Sequence, residues 1–141
     1  MSTLEKAIEI AARSHAGQID KAGHPYILHP LRLMLKMNSA PARIAAVLHD
    51  VVEDTPVTLD DLRREGFSED TVAAIEALTK RPNEARLDAA QRAAANPIAK
   101  QVKLADVADN MDLSRIAAPT AADFARLKEY EKVLALLQSR L

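Results

Sequence analysis

The spacing of apolar residues is the feature of this sequence that most constrains its fold. Apolar side chains recur at intervals of three and four, as in Ile44, Val47, Leu48 and Val51, which is the period of one helix face. No segment shows the apolar–polar alternation that a half-buried strand produces. The pattern therefore predicts an all-α protein.

Proline and glycine predict where the helices end. The chain has seven prolines, which a helix tolerates in its first turn but not in its interior. Gly17, Gly23 and Gly66 each follow a helical pattern, where glycine commonly ends a helix. With 141 residues, the usual size of one domain, we expect residues 1–141 to form a single helical bundle. About eight helices are predicted, at residues 2–16, 26–38, 41–54, 58–65, 69–79, 84–95, 97–113 and 120–140.

Composition excludes several classes of protein. The formal net charge of −1 offers no field that would attract nucleic acid or an anionic membrane. The absence of cysteine excludes disulfides and thiolate metal ligands. The amino-terminal segment is charged throughout, unlike a signal peptide, and no stretch approaches the roughly 18 apolar residues of a membrane span. We therefore expect a cytoplasmic protein that binds neither nucleic acid nor membranes.

The stretch VLHDVVEDTP, residues 47–56, places four polar side chains beside aliphatic ones. On a continuous helix, His49, Asp50, Glu53 and Asp54 would share a sector of about 140°. Carboxylates that close would repel one another and raise one another's pKa unless a cation lay between them. A divalent metal is the simplest explanation, since it would keep the carboxylates ionised and bind a neutral imidazole.

Two distant residues are candidates to complete a ligand set. His29 and Asp106 each lie in an otherwise apolar segment. With His49 and Asp50 they provide two imidazoles and two carboxylates, which suit manganese, iron or zinc better than calcium and leave positions for water and substrate. Taken singly, His29 is also compatible with a buried structural histidine, and Asp106 with an ion pair to Lys103.

Four stretches together resemble the hydrolase domain of the RelA/SpoT family, which belongs to the HD phosphohydrolases. They are HAGQIDKAGHPYILHP, AAVLHDVVEDTPVTLDDLRREGF, IEALTK and VKLADVADNM, in the same order and at similar spacing. The resemblance covers most of residues 1–115. It implies one HD phosphohydrolase domain that removes pyrophosphate from the 3′ position of a small nucleotide, (p)ppGpp, with the help of Mn²⁺.

The resemblance also implies catalytic roles for the matched residues. Glu53 and Asp54 correspond to the acidic pair that positions and deprotonates the attacking water. The ligands of one Mn²⁺ would be His29, His49, Asp50 and Asp106.

Substrate-binding positions match the family less closely. Asn110 corresponds to an asparagine that contacts the nucleotide, and Lys21 is what remains of a basic pair that frames the guanine, because Asp20 replaces the arginine. Val107 also replaces a family arginine. Lys103 is a further candidate for binding phosphate, with a solvated side chain as the alternative. These departures leave open an HD hydrolase of another nucleotide or phosphorylated metabolite, or a module that senses a nucleotide without turnover.

The last predicted helix has an apolar stripe that we expect to pack on the domain, with a homodimer interface as the alternative. The stripe consists of Phe124, Leu127, Tyr130, Val133, Leu134 and Leu137.

Overall fold

The computed structural model describes residues 2–139, and the all-α prediction is confirmed. Residue 140, at the end of the last predicted helix, lies outside the described residues. The α1–α2 connection contains an isolated antiparallel bridge between Ile19 and Pro25. Within residues 2–139 there are nine α-helices and a short 3₁₀ helix: α1 (Leu4–Ser14), α2 (Leu28–Lys36), α3 (Ala40–Leu48), α4 (Val51–Asp54), α5 (Leu59–Arg64), α6 (Glu69–Leu78), α7 (Arg86–Ala94), α8 (Pro97–Asn110), the 3₁₀ helix Leu113–Arg115 and α9 (Ala121–Ser139).

Side-chain caps define several helix starts. The Thr58 hydroxyl accepts a hydrogen bond from the Asp61 backbone N–H at 3.1 Å, and Asp61 Oδ2 accepts one from the Thr58 N–H at 2.9 Å. Thr120 and Asp123 make the same reciprocal pair before α9, at 3.3 and 2.8 Å. Each pair satisfies backbone donors that a helix start leaves without an internal partner.

The prediction of one continuous helix over residues 41–54 is wrong. Helix α3 ends at Leu48, and α4 begins at Val51 after Asp50, whose φ of −104° and ψ of −1° depart from helical values. His49 Nδ1 donates a hydrogen bond to the Ala46 carbonyl at 2.6 Å, an acceptor that a continued α-helix would offer to the Asp50 N–H. The imidazole thus competes with the helix at the His-Asp pair.

Helix α3 lies at the centre of the main core, a cluster of buried side chains from α1–α6 and α8. Its buried run from Ile44 to Leu48 contacts neighbours on several sides, which explains the scarcity of polar residues in α3. A second, smaller C-terminal core joins α7, α8 and α9 through Ala90, Val107, Val133 and Leu137. Helix α8 therefore contributes to both cores.

The predicted apolar stripe of α9 is only partly buried. Val133 and Leu137 are buried, but Phe124 is 51% exposed, so its assignment to a packed face is wrong. Asp123 turns inward instead, because its carboxylate caps the helix at Thr120. None of the helices in residues 2–139 combines the length and hydropathy that crossing a bilayer requires.

Candidate functional site

A cavity of about 480 Å³ opens between the main core and the C-terminal core. Its volume is in the range of small-molecule binding sites. The predicted site residues all line it: Lys21, His29, His49, Asp50, Glu53, Asp54, Lys103, Asp106 and Asn110.

The four predicted metal ligands meet on one wall of this cavity. Donor atoms of His29, His49 and Asp50 lie within 4.8 Å of one another. Asp106 Oδ1 lies 2.9 Å from His29 Nε2 and 3.7 Å from His49 Nε2. His29 comes from the first turn of α2 and Asp106 from α8, so the packing of α2 on α8 joins residues far apart in sequence.

The ring of His49 is oriented as a metal ligand would be. Its Nδ1 donates to the Ala46 carbonyl, so in the neutral ring the buried Nε2 carries the lone pair. This Nε2 has no hydrogen bond to any residue in the range 2–139, although Asp50 Oδ2 is only 3.0 Å away. A buried nitrogen lone pair that faces carboxylate oxygens fits a divalent cation between them.

The electrostatics of this wall favour positive charge. Burial alone lowers the pKa of His49, but the charge of Asp50 and the nearby Asp106 raise it well above its usual value. Burial raises the pKa of Asp106, but the hydrogen bond to His29 and the charges of Lys103 and His49 hold it well below its usual range. Two ionised carboxylates facing two imidazoles would also stabilise a bound divalent cation.

The acidic pair of α4 lies beside this cluster, and its two carboxylates are in different environments. Glu53 Oε1 accepts a hydrogen bond from the Lys80 backbone N–H at 2.7 Å, which ties it to the end of α6. Burial, followed by the charges of Asp50 and Glu53, raises the pKa of Asp54 to about 6. Asp54 is therefore suited to accept a proton near neutral pH.

Two of the predicted substrate-binding residues contact Asp106, one of the candidate metal ligands. Lys103 Nζ lies 3.2 Å from Asp106 Oδ2, and Asn110 Nδ2 donates to Asp106 Oδ1 at 3.0 Å. The Lys103–Asp106 ion pair considered as an alternative is thus present. Lys21 has no ion pair with any residue that the structure describes, and burial together with the charge of Arg126 lowers its pKa.

Tyr26 is a site residue that sequence reasoning missed. Its hydroxyl donates a short hydrogen bond to Asp50 Oδ2, and burial together with the charge of Asp50 raises its pKa. The His15 ring packs on Tyr26 at a centroid distance of 4.9 Å, and His15 Nδ1 lies 2.8 Å from Gln18 Oε1. The sequence signal that could have identified Tyr26 is its position three residues before His29, just ahead of the start of α2.

Asp109 was also missed. It is buried on α8, one turn after Asp106, and its carboxylate accepts a hydrogen bond from His29 Nδ1 at 2.6 Å. Arg32 donates to both oxygens of Asp109 at 2.9 Å. A second acidic residue at helical spacing from Asp106, in the same apolar segment, was the signal that could have found it.

The opposite wall carries an aromatic ring and positive charge. Tyr130 of α9 lines the cavity, and the Arg86 guanidinium lies over its ring at 5.1 Å from the centroid. Tyr130 lies far along the chain from the matched motif stretches, so no local pattern indicated that it would line the site. Asp20 does not face a ligand freely: Oδ1 accepts hydrogen bonds from the N–H groups of Ala22 and His24, both at 2.9 Å.

Comparisons with known proteins identify the family of this chain. Residues 7–140 match the family model described as HD domain. The GTP pyrophosphokinase of Streptomyces coelicolor is 36% identical over 125 residues, which cover 79% of this chain and 15% of that protein. The guanosine-3′,5′-bis(diphosphate) 3′-pyrophosphohydrolase of Borreliella burgdorferi is 39% identical over 82 residues, which cover 55% of this chain and 12% of that protein. This chain therefore spans only a small part of the curated relatives' length.

A solved structure has the same fold. It is that of a metazoan ortholog of SpoT, described as hydrolysing ppGpp, with a TM-score of 0.77, 23% sequence identity, and coverage of 97% of this chain and 86% of the other. The HD domain implies dependence on a divalent metal, which the cluster of His29, His49 and Asp50 fits. Since the family model covers nearly the whole chain, this protein belongs to the HD domain family.

Proposed function

We propose that this protein is a metal-dependent phosphohydrolase that removes pyrophosphate from the 3′ position of (p)ppGpp. The observation that carries the proposal is the convergence of His29, His49, Asp50 and Asp106 on one wall of a cavity large enough for a nucleotide. Relatives named as 3′-pyrophosphohydrolases of guanosine 3′,5′-bis(diphosphate) support this choice of substrate.

Mn²⁺ is the proposed metal, with His29, His49, Asp50 and Asp106 as its ligands. A mixed set of imidazoles and carboxylates suits a first-row divalent metal. When bound, such a cation supplies positive charge that stabilises a phosphoryl group during its transfer and makes water more acidic.

The acidic pair of Glu53 and Asp54 orients and deprotonates the attacking water. Asp54, with its raised pKa, accepts the proton as the water oxygen bonds to phosphorus. Glu53, held by the Lys80 N–H, orients the same water. The bond between phosphorus and the 3′ oxygen breaks, the 3′ oxygen takes up a proton from solvent, and pyrophosphate leaves with the hydroxyl of the attacking water. Asp54 then returns its proton to solvent.

The remaining cavity residues bind the nucleotide. Lys103 and Asn110 lie beside Asp106 and are placed to contact the phosphoryl group near the ligand cluster. Lys21 on the opposite wall offers a positive charge for a second phosphate group. Tyr130, backed by Arg86, offers a ring face on which a base can stack.

We extend the proposal to the whole chain. Residues 1–141 act as one HD phosphohydrolase domain on a small molecule in the cytoplasm, with neither nucleic acid nor membrane as a partner. A homodimer through the exposed side of α9 stays a prediction, and sedimentation equilibrium of the purified protein tests it.

The test is an assay with Mn²⁺ and a panel of ppGpp, pppGpp, GTP and other nucleotides, with pyrophosphate and phosphate measured separately. We expect pyrophosphate from ppGpp, and a loss of about 10²- to 10⁴-fold in turnover for Glu53→Gln with Mn²⁺ binding retained. Glu129→Gln is the matched control, because Glu129 is exposed and pairs only with Lys132 among the residues described.

The other outcomes contradict the proposal in distinct ways. Turnover of a different nucleotide or phosphorylated metabolite, with ppGpp untouched, would identify an HD hydrolase of other specificity. Tight binding of ppGpp without any product would identify a sensing module. Unchanged turnover in Glu53→Gln would remove Glu53 from the mechanism.

A further inference from the structure

A buried carboxylate stands on the far side of the His29 ring from the proposed metal. Asp109 is 4% exposed, and its Oδ2 accepts a hydrogen bond from His29 Nδ1 at 2.6 Å. The other ring nitrogen, Nε2, lies 2.9 Å from Asp106 Oδ1. Because Asp106 and Asp109 are three residues apart on α8, they share one helix face, and the His29 ring spans them.

Two arginines hold the Asp109 carboxylate in place. Arg32 donates through Nε to Oδ1 and through Nη2 to Oδ2, both at 2.9 Å, in the bidentate arrangement that fixes carboxylate orientation. Arg115 Nη2 donates to the Asp109 carbonyl at 3.0 Å and lies 3.4 Å from Oδ2. These contacts compensate the buried charge and prevent the carboxylate from rotating away from His29.

We propose that Asp109 is a positioning residue that sets the tautomer and the orientation of His29 for metal binding. By accepting the Nδ1 proton, Asp109 makes Nε2, which is hydrogen-bonded to Asp106 in the metal-free structure, the nitrogen that gives up its proton when a metal binds. Without Asp109, the neutral ring could keep its proton on Nε2, bonded to Asp106, and so block the metal-binding nitrogen. The inference rests on the proposed metal site and adds a residue that the site's function needs.

His49 shows that the protein solves the same problem in another way. Its Nδ1 donates to a backbone carbonyl, that of Ala46, at 2.6 Å. The orientation of His49 is thus set by a backbone group at the end of α3. The orientation of His29 depends on one side chain, Asp109, which makes it accessible to mutation.

The test compares Asp109→Ala and Asp109→Asn with the control Asp112→Asn. Asp112 lies just beyond the same end of α8 and pairs with Arg115 at 3.1 Å, but it is exposed and makes no contact with His29. Circular dichroism of the metal-free proteins checks folding. The Kd for Mn²⁺ alone is measured from the electron paramagnetic resonance signal of free Mn²⁺. NMR of the Zn²⁺-loaded protein follows the Nδ1 proton of His29. This signal reports on the hydrogen bond to Asp109 and separates its loss from a general loss of packing.

We expect the Kd for Mn²⁺ to rise about 10- to 100-fold in Asp109→Ala, as is usual when an outer partner of a metal-bound histidine is lost. The slowly exchanging Nδ1 proton of His29 should disappear in that variant. Asp109→Asn retains an acceptor oxygen but not the charge, so we expect a smaller rise in Kd. Asp112→Asn should stay within about twofold of the wild type, below the effect of an outer partner.

Wild-type affinity for Mn²⁺ in a folded Asp109→Ala would overturn the inference and leave the metal site standing. If Asp109→Ala does not fold, the folded Asp109→Asn decides, and an unchanged Kd there overturns the inference. Failure of the wild-type protein to bind Mn²⁺ would contradict the metal site itself.

Discussion

The two cores of this protein differ in depth, and the cavity lies between them. The main core contains Leu33, Leu48 and Ile75, all fully buried, with contributions from α1–α6 and α8. The C-terminal core has four buried members in the described chain, Ala90, Val107, Val133 and Leu137. The helices that carry the histidines are packed in the larger main core, whereas the opposite wall of the cavity rests on the smaller C-terminal core.

The difference between the two cores corresponds to two different requirements of the site. Side chains that must meet around one ion need positions fixed to fractions of an ångström, which a densely packed core provides. The wall from α7 and α9 presents Arg86 and Tyr130 over a core with fewer buried side chains, and regions with few buried apolar contacts generally open at a lower free-energy cost. We infer that the main core positions the side chains that carry out the chemistry and that the C-terminal core determines which ligand the cavity accepts.

The largest effect is expected from Asp50→Ala, which removes a proposed ligand supplied by the main-core side. Mn²⁺ binding should weaken by more than the roughly 100-fold that loss of an outer partner costs, and turnover should fall to background. Metal content after gel filtration measures this directly. Asp60→Ala, at an exposed residue paired with Arg63, is the control, and full metal content in Asp50→Ala would refute the ligand set.

The next effect compares the two cores. Leu48→Ala should reduce the free energy of unfolding by about 4 to 5 kcal/mol, and Leu137→Ala by about 2 to 3 kcal/mol, because a thin core collapses more easily around a cavity. Both side chains are fully buried in the structure. Urea denaturation followed by circular dichroism measures both. Equal losses would contradict the difference in depth.

A smaller effect tests ligand selection by the C-terminal wall. Tyr130→Ala should raise KM for the nucleotide roughly tenfold, the usual worth of one stacking contact, with little change in kcat. Steady-state kinetics separate the two constants. Tyr130→Phe, which retains the ring, should behave like the wild type. A fall in kcat at constant KM would place Tyr130 in the chemical step instead.

The smallest effect concerns the loop between α6 and α7. Arg92 donates to both oxygens of Glu84 at 2.7 Å and to the Thr79 carbonyl at 2.8 Å, and it holds the pKa of Glu84 at about 2. Because the pKa of Glu84 is lowered on folding, its stabilisation is present above pH 4.5 and is lost as the pH falls towards 2. Arg92→Gln should lower the melting temperature slightly at pH 7.

The difference in melting temperature between Arg92→Gln and the wild type should narrow between pH 4.5 and 2. A constant difference over this range would show that the hydrogen bond to Thr79 alone accounts for the stabilisation.

Much of the fold was predictable because its signals are local. Apolar period, prolines and caps act within one or two helical turns, so the order of helices and their approximate bounds could be read from the chain. The break at His49 and Asp50 could not, because it depends on a hydrogen bond from the His49 ring to Ala46. Phe124 was misassigned because its apolar spacing does not reveal that Asp123, which caps α9 at Thr120, occupies the buried position while Phe124 is exposed.

The sequence by itself determined the residue types available for chemistry. His29, His49, Asp50 and Asp106 could be chosen as candidates before any interatomic distance was known, because they are ionisable residues in apolar segments. A buried charge needs a partner wherever it lies. Only the tertiary structure decided how those residues meet and what supports them. The contact between His29 and Asp109 joins residues 80 positions apart, and such long-range packing leaves no mark on local spacing.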